Sequence, residues 1–96
     1  MHMRLTSKEL EAIRKVLNEA DPQGRIYLYG SRADDSRRGG DIDVYFETSK
    51  QLSLKAALTL EYRLASLCGT KVDLLIRNPG QADKPIHAIA RKGVML

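Results

Sequence analysis

Residues 30–44 read GSRADDSRRGGDIDV, and the rest of the chain organises itself around that stretch. It opens on a glycine–serine pair, runs through polar and basic residues, returns on two glycines, and ends with carboxylates alternating with apolar side chains. The preceding residues, Arg25 to Tyr29 (RIYLY), favour an extended strand. Asp41 to Phe46 (DIDVYF) alternates and then turns fully apolar, which predicts a second strand. Between them, Ser31 to Gly40 is a loop with room for one helical turn.

On the N-terminal side, Thr6-Ser7-Lys8-Glu9 has the form of a capping box. Leu10, Ile13, Val16 and Leu17 then recur at helical spacing, predicting a helix from Ser7 to Glu19 that ends at the Asp21-Pro22-Gln23-Gly24 turn. On the C-terminal side, Leu54, Ala57, Leu58, Leu64 and Ala65 predict a helix over Ser53 to Leu67 with a broad apolar face, closed by Gly69. Lys71 to Ile76 (KVDLLI) is a third strand. Pro85 to Lys92 is a last helix with proline in its first turn, and Val94 to Leu96 adds an edge strand or packs as a tail. The expected order is α-β-β-α-β-α. That is one α/β (α+β) domain over residues 1–96, a small mixed sheet with helices packed against it.

Bulk composition excludes several classes. The 96 residues are 43% hydrophobic and 29% charged, with no run of about 18 apolar residues to span a membrane. The N-terminus carries no signal-peptide pattern, and one cysteine, Cys68, permits neither an internal disulfide nor a zinc cluster, so a cytoplasmic protein with a small buried thiol is expected. The net charge of +4 admits phosphate-bearing partners. One phenylalanine, no tryptophan, and four tyrosines without a stacking pattern argue against direct nucleic-acid binding. His2 and His87 show no ligand spacing.

The carboxylates carry the chemistry. Side chains two apart on a strand share a face, so Asp41 and Asp43 project together, their Cα atoms about 7 Å apart. Asp73 sits between Val72 and Leu74 in the third strand, and if strands two and three are neighbours it reaches the same pocket. Three converging acids repel one another unless a cation joins them, and all-oxygen ligation suits Mg²⁺ or Mn²⁺. An Asp-x-Asp pair alone is weak, since chance places one in about a third of chains this long, and a solvent-facing edge strand explains it equally well. The Gly30-Ser31 turn changes the balance. A glycine directly after a strand admits close approach of a ligand to the backbone, and a serine at a helix start suits phosphate oxygens. Arg32, Arg37 and Arg38 add guanidinium groups, while Asp34 and Asp35 read as turn caps or partners of those arginines.

The two-part pattern resembles the Gly-Ser, Asp-x-Asp signature of polymerase-β-type nucleotidyltransferases, and more narrowly the minimal nucleotidyltransferase (MNT) group. The resemblance implies that Gly30 and Ser31 bind the triphosphate, with Arg32 as an extra clamp. It implies that Asp41, Asp43 and Asp73 hold Mg²⁺ (or Mn²⁺), with Asp73 also the general base. Two departures stand out: Gly40 replaces the serine that many members place before the first acid, and the loop is about one residue shorter. The activity implied is transfer of AMP from ATP to a hydroxyl, in this group typically a tyrosine of a helical HEPN toxin for which the MNT protein is antitoxin. The alternative is a noncatalytic nucleotide-binding or scaffold module that neutralises a helical partner by binding; Ile86, Ile89 and Ala90 on the last helix offer an apolar strip that serves either reading or packs into the core.

Overall fold

The computed structural model describes residues 4–33 and 40–96. The expectations placed on Asp34, Asp35, Arg37, Arg38 and His2 lie outside the described residues. The order is α1 (Ser7–Ala20), β1 (Arg25–Tyr29), a 3₁₀ turn (Gly30–Ala33), β2 (Ile42–Glu47), α2 (Leu54–Cys68), β3 (Val72–Arg77), α3 (Pro85–Arg91) and β4 (Val94–Met95). The last residues therefore do join the sheet. β4 pairs antiparallel with β1, Tyr27 opposite Met95 and Leu28 opposite Val94.

The sheet runs β3-β2-β1-β4, with β1 and β2 antiparallel and β2 and β3 parallel. Because α2 carries the chain from β2 to its parallel neighbour, the helix lies on a sheet face, where α1 joins it. That face holds the main core: Ile26, Leu28, Ile42, Val44, Phe46 and Val72 from the strands against Ile13, Val16 and Leu17 of α1 and Leu60 and Leu64 of α2. Each such side chain contributes about 1.5–3 kcal/mol by leaving water.

Local signals set the helix ends. Thr6 and Glu9 form the expected reciprocal cap: the Thr6 N–H donates to Glu9 Oε1 at 2.9 Å, and the Glu9 N–H donates to Thr6 Oγ1 at 3.0 Å. After α1, the fully buried Asp21 accepts hydrogen bonds from the Gln23 N–H, the Thr48 hydroxyl and both the N–H and hydroxyl of Ser49. Burial pushes its carboxyl up, but these donors outweigh burial and hold it down at about 2. Asp21 thereby ties the end of α1 to the turn after β2.

α2 departs from the expected broad apolar face. Only Leu60 and Leu64 are buried in it, whereas Leu54, Leu58 and Tyr62, spaced four apart, are exposed. With α1 and the sheet already filling one flank, three layers cannot cover an apolar arc that wide. Cys68 is half-buried against the core rather than enclosed. Ala90 of α3 is buried against Tyr27 and Tyr45. Ile86 and Ile89 are exposed, so the strip expected on that helix is split between core and surface.

The opposite sheet face is read row by row across β1, β2 and β3. Its rows are Arg25–Glu47–Arg77, Tyr27–Tyr45–Leu75 and Tyr29–Asp43–Asp73. α3 closes over the first two. His87 is buried, stacks on Tyr45 at 5.5 Å and accepts the Lys84 N–H on Nδ1 at 2.9 Å. The Tyr45 hydroxyl donates to Glu47 at 2.8 Å, and Arg91 pairs with both Glu47 and Asp83. Burial, then the Glu47 carboxylate, pushes the Tyr45 phenol up to about 12. Among the described residues no helix is long and apolar enough to cross a membrane.

Candidate nucleotide and metal site

The third row is where the acids meet. Parallel pairing puts Asp43 of β2 directly beside Asp73 of β3, with side chains on one face. Asp41 lies just before β2, and the backbone continues the pairing there, the Ile42 N–H donating to the Lys71 carbonyl at 3.1 Å. Burial raises the Asp43 carboxyl above its ordinary value, and the charges of Asp73 and Asp41 raise it further. Asp43 therefore senses both acidic neighbours.

Sequence reasoning overlooked two neighbours of this cluster. Lys71 places its ammonium 3.8 Å from Asp41 and 3.7 Å from Asp73. Its signal was available, because Lys71 and Asp73 are two apart on one strand and must share a face. Tyr29 is the register partner of Asp43 on the other side. Burial, then the Asp43 and Asp73 charges, lifts its phenol above the ordinary value. Only the β1–β2 register reveals that position.

The Gly-Ser turn faces the same row. Gly30 adopts φ +73°, and a Cβ there would run into the Asp43 carboxylate, so only glycine lets the turn fold down on that acid. Ser31 follows it in the turn, its carbonyl accepting from the Arg4 guanidinium at 3.1 Å. A Cβ on Gly40 would stand 2.7 Å from the Ser31 hydroxyl oxygen. The residue before the first acid is thus small because the Ser31 side chain already fills that space.

Arg32, expected as an extra phosphate clamp, turns its guanidinium onto the protein's own backbone and Glu9. Its guanidinium donates to the Arg4 carbonyl at 2.8 Å, to Glu9 Oε1 at 3.3 Å and to the Gly40 carbonyl at 3.3 Å. The capping glutamate of α1 and the returning loop both compete for that fork, and a guanidinium engaged on three sides is a staple for the turn.

Among the described residues no three His, Cys, Asp or Glu side chains close around one point as a metal cage. The acids are gathered, but the Lys71 ammonium stands between two of them.

Comparison with known proteins identifies the family of the chain. A family model described as "Polymerase beta, Nucleotidyltransferase" matches residues 11–96. MJ1217 of Methanocaldococcus jannaschii, a candidate protein adenylyltransferase, is 32% identical over 80 residues, 79% of this chain and 82% of that protein. Two solved structures superpose well. A toxin–antitoxin complex with AMP-PNP gives a TM-score of 0.61 at 31% identity, covering 69% of this chain and 55% of that one. A tri-AMPylated HEPN toxin with MNT antitoxin from Shewanella oneidensis gives 0.58 at 30% identity, covering 79% and 56%. The chain spans a little over half the length of these two solved chains. It belongs to the polymerase-β nucleotidyltransferase family.

Proposed function

We propose that this chain transfers AMP from ATP to a hydroxyl of a HEPN-type helical protein, a tyrosine in particular, and so acts as antitoxin to it. The observation that carries the reading is the side-by-side placement of Asp43 and Asp73 beneath the Gly30-Ser31 turn. The AMP-PNP complex and the AMPylated toxin among its structural relatives support the nucleotide and the kind of acceptor.

The donor set fits a hard divalent cation: Asp41, Asp43 and Asp73 offer only carboxylate oxygens, and their mutual repulsion leaves the site short of positive charge. These three residues would hold Mg²⁺ or Mn²⁺, which when bound neutralises phosphate charge and makes the acceptor hydroxyl more acidic. Ser31 and the backbone after Gly30 receive the β- and γ-phosphate oxygens, while Arg32 keeps the turn folded against Glu9 and Gly40. The acceptor oxygen attacks the α-phosphorus, the bond to the β-phosphate oxygen breaks, and pyrophosphate leaves. Asp73, half-exposed at the edge strand, takes the proton.

The competing reading is a scaffold that neutralises its partner by binding alone. Titration calorimetry separates the two. An enzyme of this kind takes up ATP–Mg²⁺ and releases pyrophosphate when its partner is added. A pure scaffold binds the partner equally well without nucleotide and releases none, which would end the transfer reading.

A further inference from the structure

We infer that Lys71 is a resident counter-ion of the acid cluster, which partly offsets the repulsion among the acids and must be displaced before a divalent cation can enter. The inference rests on the metal-binding reading of Asp41, Asp43 and Asp73.

Lys71 sits one residue before β3 and two before Asp73, on the same face as that acid. Its backbone is held to the first acid's strand by the Ile42–Lys71 hydrogen bond, which places its side chain within reach of the cluster. The ammonium then stands within 4 Å of both Asp41 and Asp73, at 3.8 and 3.7 Å. These three side chains and Asp43 form a block of two by two positions on adjacent strands, three acids to one base.

The same distances make the ion easy to dislodge. Both exceed direct charge-assisted hydrogen-bonding range, and the lysine side chain is 69% exposed. Exposed pairs of this geometry are weak and screened by solvent. A flexible four-carbon stem lets the ammonium swing out without moving the strand. A cation of twice the charge, drawing on three carboxylates instead of two, outcompetes it. Lys71 thus lowers metal affinity in exchange for a partial offset of the repulsion among the acids while no cation is bound.

The test is Mn²⁺ binding by titration calorimetry on the full chain without nucleotide, in wild type, Lys71→Met, Lys71→Arg and the distant control Lys55→Met. The expected result is about threefold to tenfold tighter binding for Lys71→Met alone. Its thermal midpoint should fall in chelator and recover when Mn²⁺ is added. A lysine that merely supported the fold would weaken the metal when lost. Equal or weaker binding by Lys71→Met therefore overturns the inference while the metal reading survives. Absence of binding in every variant removes the metal reading itself, and the inference with it.

Discussion

Asp43 and Asp73 face one another across the β2–β3 pair in direct parallel register, one carboxylate per strand and both on the side away from α1 and α2. No folding requirement asks for that arrangement. It raises the Asp43 carboxyl, first through burial and then through its two acidic neighbours. A folded-state value above the unfolded one means that the ionised group opposes folding at neutral pH. That cost is absent below the unfolded value and grows as pH rises toward and through the folded one. Asp43→Asn should therefore match or exceed wild type in thermal midpoint in chelator while losing about a hundredfold or more in adenylyl transfer. A calorimetric scan paired with a transfer assay checks both halves.

Gly30 answers a second question, whether the turn must touch the acid. Gly30→Ala meets both an unfavourable φ of +73° and the Asp43 carboxylate. Gly69→Ala, at the end of α2, has a similar φ of +69° with nothing within 4 Å. Gly69→Ala should cost about 1 kcal/mol. Gly30→Ala should cost more and, unlike the control, weaken ATP binding measured by calorimetry. Equal effects on both properties would detach the turn from the site.

Asp21 predicts the acid limb of stability. Its folded value near 2 lies below the ordinary 3.8, so its contribution is complete above the unfolded value and is lost as pH falls through the folded one. Asp21→Ala strands the Gln23 and Ser49 N–H groups and should destabilise by about 2–4 kcal/mol at pH 7. Urea titrations at pH 7 and pH 2.5 should show the variant's deficit shrinking at the lower pH.

Arg32 tests positioning against clamping. Arg32→Ala releases the Arg4 carbonyl, Glu9 and the Gly40 carbonyl together. A staple predicts that Glu9→Gln, which keeps the cap but weakens the ion pair, moves ATP affinity in the same direction as Arg32→Ala and by less. A phosphate clamp predicts no effect from Glu9→Gln. Calorimetric ATP affinities of the two variants decide.

Much of this was legible before any coordinates. Strong punctuation made it so: the Thr6–Glu9 cap, proline at the start of α3 and glycine after α2 bracket their helices within a residue or so. Period-two alternation around Asp41, Asp43 and Asp73 announced side chains with no place in a core. What stayed hidden depends on register and on layer counting. Tyr29 joins the acid row only because β1 pairs with β2 in one particular alignment. The contact of Arg32 with Glu9 emerges only once α1 is folded against the turn. His87, without ligand spacing, turns out to fix the start of α3 and stack on Tyr45. Leu58 and Leu64 look alike in the sequence, yet one is 56% exposed and the other fully buried.

On this reading these acids, under this turn, move AMP onto a protein hydroxyl. Intact-mass measurement of a HEPN-type partner, incubated with this chain, ATP and Mg²⁺, tests it most directly. One or more AMP additions with wild type, and none with Asp43→Asn or Asp73→Asn, is the predicted result. An unmodified partner with wild type, or equal modification by both variants, would contradict it.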